Sequence, residues 1–331
     1  MPLPALIGIV SRSAARGSGL YIAVGSQGTP FFTLLDHSTP GSVALATTYT
    51  LPATCNGVAF SPDGNYIAVG HDGNPYLTML AHDGEGGVSL ASTYVLSGAG
   101  QTVAFSPDGA YLAVGHPFLP RFTLLHQHTG QLSLADTYAL AGSGAAVAFT
   151  PDGNYIAVGH FGTPFFTLLH HDPPGTVTLS ATYTLLGTGL GLTISPDGSL
   201  IAVGHDTNIF FTLLHHNPPG AVSLADTYAL SGAVRGVAFS PEGVYIGLAH
   251  LASPFFTLLN ATTPGNLSRA DFYTLAGFGR GVDFSPDGLF AGVGHFNSPR
   301  FTLLAQTIPG NVSLSATYTL SGTGFAVAFS P

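Results

Sequence analysis

The stretch Phe-Ser-Pro-Asp-Gly-Asn-Tyr-Ile-Ala-Val-Gly-His at residues 60–71 returns down the chain every 44 or 45 residues. A fixed period of that length is the mark of a tandem array of one structural unit, stacked so that each copy buries the face of the next. The turn core Ser/Thr-Pro-Asp/Glu-Gly stands at Ser61, Ser106, Thr150, Ser195, Ser240 and Ser285, and a further copy begins at Ser330-Pro331. Three other signatures keep the same beat, each present seven times: a Tyr-Ile-Ala-Val-Gly type segment, a Phe-Thr-Leu-Leu type segment, and a segment ending in Thr-Tyr-x-Leu. The first of these starts at Tyr21, Tyr66, Tyr111, Tyr155, Leu200, Tyr245 and Phe290.

One unit, residues 58–102, reads as four strands. Val58-Ala59-Phe60 is short and apolar, and Ser61-Pro62-Asp63-Gly64 is a turn in which Pro presets φ and Gly tolerates a positive one. Residues 66–70 and 76–80 follow as the second and third strands, separated by the loop 71–75. After the glycine-rich turn 84–87, residues 88–96 form a more polar strand with Val88, Leu90 and Tyr94 alternating. Three nearly continuous apolar strands and a half-polar fourth fit a blade covered on both faces by its neighbours. The predicted fold is therefore all-β: seven four-stranded antiparallel blades closing into a seven-bladed β-propeller from about residue 16 to 331.

Val-Ala-Phe-Ser-Pro-Asp-Gly-x-x-Ile/Leu-Ala-Val-Gly resembles the first two strands of a WD40-type blade, and the likeness runs over nearly the whole chain. The chain departs from that family in having no Trp, with Phe-Thr-Leu-Leu where the Trp-Asp dipeptide stands, so the family's structural His and Asp network is not carried over. Its Ser-Pro-Asp-Gly turns are also similar to lactonase-like and surface-layer-type bacterial propellers and to phage-encoded arrays. WD40 topology would put the first strand of each unit innermost. It would also make the segment from Phe325 to Pro331 the innermost strand of the blade formed by residues 20–51, a clasp that removes an exposed sheet edge. The apolar run at residues 5–10 competes for that slot, which leaves one of the two spare. If the N-terminal run is the spare one, residues 1–15 are either a tail packed on their own domain or an assembly arm that presents Leu6, Ile7, Ile9 and Val10 to another subunit.

Composition narrows the partners. Charged residues make up 7% of the chain, all seven basic ones are Arg, and the formal charge is -9, which argues against nucleic acid or an anionic membrane surface. No apolar window approaches the roughly 20 residues of a membrane-spanning helix. The N-terminus lacks the charge pattern of a secretory signal, and Cys55 stands alone, so no intramolecular disulfide forms.

Two histidine sets are the candidates for metal chemistry. His71, His116, His160, His205, His250 and His295 each end a second strand, with Ser26 in the remaining blade. Spread one per blade, they do not converge on one ion, and a role packing between blades is expected. His37, His82, His126, His128, His170, His171, His215 and His216 follow the third strands and read as solvated loop residues. The turn aspartates Asp63, Asp108, Asp152, Asp197 and Asp287 read as turn formers. No phosphate loop, nucleophile elbow or zinc spacing is present.

What differs between copies is free for function. The two loop sets on one face carry Arg121, Arg235, Arg280 and Arg300, with Phe278 and Phe296 beside them and Asp283 at the start of an innermost strand. These six cationic and aromatic residues form the candidate binding patch for a glycan, carboxylate or protein. The expected function is a non-enzymatic structural or interaction propeller, self-assembling or coating a particle, extracellular or virion-associated, that partners itself or another structural protein. No catalytic residue, metal or cofactor is assigned. A glycan- or protein-binding propeller is the alternative, and a lactonase-like hydrolase the third.

Overall fold

A computed structural model describes residues 20–217, 219–262 and 266–331, and within them every regular element is a β-strand. The N-terminal arm expected at residues 1–15, with Leu6, Ile7, Ile9 and Val10, lies outside the described residues. Seven four-stranded antiparallel sheets stand in a ring. In blade 2 the strands run Cys55–Phe60, Tyr66–His71, Tyr76–His82 and Val88–Val95 from the axis outward, and blades 3 to 7 repeat that order.

The apolar signature of the second strand has a direct packing cause. All six residues of Tyr155–His160 are buried, because neighbouring blades cover both faces of the sheet. Between blades 1 and 2, for example, Ala23, Phe32 and Leu34 pack against Val58, Ile67, Val69 and Leu80. The third strands contribute Phe32, Phe122, Phe166, Phe211, Phe256 and Phe301, all fully buried, each contributing roughly 1.5–3 kcal/mol by burial. Outer strands are tied blade to blade by side chains: Asp136, Asp226 and Asp271 accept the backbone N–H of Val177, Leu267 and Val312 at 2.7–2.8 Å.

Blade 1 is closed from the far end of the sequence. Gly324–Phe329 lies innermost beside Tyr21–Ser26, with Ile22 opposite Phe329 and Val24 opposite Val327, and Phe31–Asp36 and Ala44–Thr50 complete the sheet. Tyr21 N donates to Ser330 Oγ at 2.9 Å and Ser330 N donates to Tyr21 O at 2.8 Å, so the returning Ser-Pro holds the clasp as its equivalents hold turns elsewhere. The C-terminal segment, not the N-terminal run, takes the slot for which both competed.

Candidate functional site

Both histidine sets prove mainly structural. In the first, each Nε2 lies 2.9–3.1 Å from the hydroxyl of Thr78, Thr123, Thr167, Thr212, Thr257 or Thr302 on the adjoining third strand. All six rings are fully buried, and burial lowers their pKa, to about 4 at His250 and His295. The second set corrects the sequence reading for four members. His37, His82, His171 and His216 are buried; the last three place Nδ1 2.8–3.0 Å from the glycine carbonyl of their own blade's Ser/Thr-Pro-Asp-Gly turn, and His37 meets Ser42 O at 2.7 Å. Tyr21, Tyr111 and Tyr155 meet three of these rings edge-on from the preceding blade, at 4.6–5.0 Å between centroids. His126, His170 and His215 are half-buried and His128 is exposed.

The turn aspartates act as expected. Asp63 accepts from Ser61 Oγ and from Asn65 N, while Ser61 Oγ accepts from Tyr66 N at 2.9 Å, which closes the turn on itself.

The functional geometry lies at the axis. Each blade presents one residue to the upper mouth of the central channel at the same register, Asn56, Ala145, Leu190, Arg235, Arg280 and Phe325 from the innermost strands and Gln101 from just before the strand Thr102–Phe105. Gly236 and Gly281 let the strands approach this closely, since a Cβ at either would fall 2.6 Å from the backbone oxygen of Arg280 or Phe325 in the next blade. Asp72 and Phe161, from the loops after the second strands of blades 2 and 4, complete a cavity of about 270 Å³.

Arg235 and Arg280 are half-buried on adjacent strands, and the Nε atom of each is buried without a hydrogen-bond partner among the described residues. Neither guanidinium forms an ion pair among those residues. Burial depresses the pKa of both; the Asp206 carboxylate partly offsets this at Arg235, whereas the charge of Arg235 adds to it at Arg280. The Arg280 guanidinium sits 5.2 Å from the centre of the Phe325 ring. Across the mouth, Asn56 Nδ2 donates to Asp72 Oδ1 at 2.7 Å and to Gly100 O at 3.3 Å. Two cations with unfilled hydrogen-bonding capacity face an oriented carboxylate, an arrangement suited to a small anionic ligand.

Below the mouth, Val58, Val103, Val147, Leu192, Val237, Val282 and Val327 form an aliphatic girdle, one residue per blade. Beneath it, Asp283 lies near the end of Gly279–Phe284, not at its start as the sequence was read. Its oxygens accept the backbone N–H of Phe284 at 2.9 Å and of Phe329 at 2.8 Å, the latter from the clasp strand. Enclosure within the ring raises its pKa to about 6, against the opposing effect of those two bonds.

Of the six expected binding residues, the structure brings only Arg235 and Arg280 together at the channel. Arg121 and Arg300 have φ of 77° and donate Nη1 to Leu140 O at 2.7 Å and Leu320 O at 2.6 Å. They fill the position held by Phe31, Tyr76, Phe165, Phe210 and Phe255 in the other blades, all with the same left-handed backbone. Phe278 and Phe296 are exposed and pack against each other at 5.9 Å between ring centres, outside the cavity. Sequence reasoning did not single out Asn56, Asp72, Gln101, Phe161, Leu190 or Phe325. The signal lay in aligning the loops between units, where each innermost residue shares one column with Arg235 and Arg280.

The WD40 family model (WD domain, G-beta repeat) matches residues 45–77. No curated protein matches the chain. Among solved structures it is similar to a putative 6-phosphogluconolactonase from Bacteroides uniformis, with a TM-score of 0.83 and 15% identity over 95% of this chain and 100% of that one. It is also similar to a periplasmic gluconolactonase from Pseudomonas aeruginosa, with a TM-score of 0.82 and 17% identity over 94% and 99%. Hydrazine synthase from Kuenenia stuttgartiensis matches with a TM-score of 0.63 and 15% identity over 91% and 100%. At these identities the likeness establishes the fold. Those neighbours overturn the expectation of a non-enzymatic structural, particle-coating or merely binding propeller.

Proposed function

We propose that the chain is a lactonase-type hydrolase acting at the upper channel mouth on a small lactone that carries an anionic group. The observation that carries this is the pair of half-buried guanidinium groups of Arg235 and Arg280 on adjacent innermost strands, neither with an ion-pair partner among the described residues. Its fold is shared with a gluconolactonase and with putative 6-phosphogluconolactonases.

In this reading one guanidinium takes the anionic substituent, and the other stabilises the oxyanion that develops as water attacks the lactone carbonyl. Asn56 holds Oδ1 of Asp72, which leaves Oδ2 to accept a proton from that water. The ring C–O bond then breaks, and the departing alkoxide oxygen takes the proton back, giving the hydroxy acid. The aliphatic girdle below offers a charged ligand no polar partner, which favours binding on the upper side.

The test is acid release from two lactones that carry an anionic group, glucono-δ-lactone 6-phosphate and an aryl lactone carboxylate, followed at constant pH above the spontaneous rate. Turnover is expected, with Arg280→Ala and Asp72→Asn each lowering kcat/KM by roughly 10²-fold or more while the melting temperature stays put. Hydrolysis no faster than in buffer for both compounds overturns the reading.

A further inference from the structure

Chain order sets which residues face one another across the mouth, because the innermost strands contact their neighbours in sequence around the ring. With seven blades, each faces the pair three and four steps away. Arg235 of blade 6 therefore looks across at Asn56, Asp72 and Gln101 of blades 2 and 3. Phe325 of blade 1 looks across at Phe161 of blade 4 and Leu190 of blade 5. One axis of the cavity is polar and charged and the other is apolar at both ends, with Arg280 of blade 7 between them, opposite Gln101 of blade 3 and Ala145 and Phe161 of blade 4.

We infer that the mouth takes an anion bearing a flat apolar ring, rather than a fully hydroxylated sugar. This rests on the proposal that the mouth is the substrate site and adds the class of ligand. A polyhydroxylated ring turned along the apolar axis would press hydroxyls against Phe161, Leu190 and Phe325 with no partner there, and burying an unpaired hydroxyl is unfavourable. An aromatic or unsaturated ring fits the same space with its face on Phe325 and its edge against Phe161. The Arg280 guanidinium lies over one face of the Phe325 ring, 5.2 Å from its centre, so a ligand ring packed on the other face or edge has its anionic group within reach of the cation. Phe161 is 42% exposed, on a backbone fixed by its N–H bond of 3.0 Å to Ser143 O, so the ring has open surface for a ligand to cover.

The experiment compares phenylphosphonate with methylphosphonate by titration calorimetry on the full chain, with lactone turnover measured separately. Phenylphosphonate is expected to bind about tenfold more tightly. Phe161→Ala, at an exposed loop position, brings that ratio near one, whereas Arg280→Ala weakens both ligands at least tenfold. A ratio near one in the parent protein, or a tenfold ratio that survives Phe161→Ala combined with Phe325→Leu, overturns the inference. Failure of both phosphonates to bind overturns the anion site altogether. Turnover of sugar lactones without a phenyl preference keeps the hydrolase and removes the apolar axis, whereas a phenyl preference without turnover does the reverse.

Discussion

At each second-strand end but one, a buried imidazole meets a threonine hydroxyl of the next strand, and the pair stands where two blades press together. His205 shows how the proton is placed: Nδ1 lies 3.0 Å from Thr207 O and so carries the hydrogen, which leaves Nε2 to accept from Thr212. Removing the hydroxyl strands a buried nitrogen in apolar surroundings. Thr302→Val is therefore expected to cost about 1–3 kcal/mol of folding free energy in urea titration, although the two side chains have the same shape. A loss below about 0.5 kcal/mol would show that the pair carries no stability. The structural role of this set was legible in the sequence, since one residue per blade points to packing. That of His82, His171 and His216 was not, because their partners, the turn glycines, lie 18 residues back and meet them only through the hairpin register. Arg121 and Arg300 misled for a related reason: a positive φ turns each guanidinium onto a nearby carbonyl, and sequence records a loop cation without its direction.

Among elements, the clasp strand Gly324–Phe329 is held more heavily than its position in sequence suggests. It pairs with Tyr21–Ser26 along one edge, while on the other Asp283 receives the N–H of Phe329. Phe329 is 7% exposed and packs with Ile22, Val24 and Phe290. Phe329→Ala is expected to cost about 3–5 kcal/mol, with hydrogen exchange accelerated first in Tyr21–Ser26 and only later in Tyr155–His160 on the far side of the ring. Uniform acceleration in both strands would mean that the ring opens as one unit. The strands and the clasp were legible because periodicity and the SPDG turns mark them repeatedly. The channel mouth was only half legible, since Ala145, Leu190 and Phe325 look like ordinary strand residues until the ring places them opposite one another.

For the whole molecule, titration of the histidine ring sets the response to acid. An unfolded histidine titrates near 6.5, and burial holds the six folded ones lower, so the unfolded chain binds more protons in that window and stability falls as pH drops from about 6.5 toward 4. Asp283 works the other way. Its folded pKa, raised to about 6, makes the native state the better proton binder above the ordinary carboxylate value, so its contribution to stability improves on acidification from 6 toward 4. Six groups oppose one, and the melting temperature is expected to drop by roughly 5 °C or more between pH 7 and 4.5, with a steeper drop in Asp283→Asn. A flat profile for the parent protein would mean that the ring histidines keep their ordinary titration. The clasp also has a consequence in time. Tyr21 and its partner Ser330 are 309 residues apart, so at about 5–20 residues per second the ribosome holds the first blade open for roughly 15–60 s before its missing strand exists. Through that interval the nascent chain carries a bare sheet edge, and every later blade must add in order before the circle can shut.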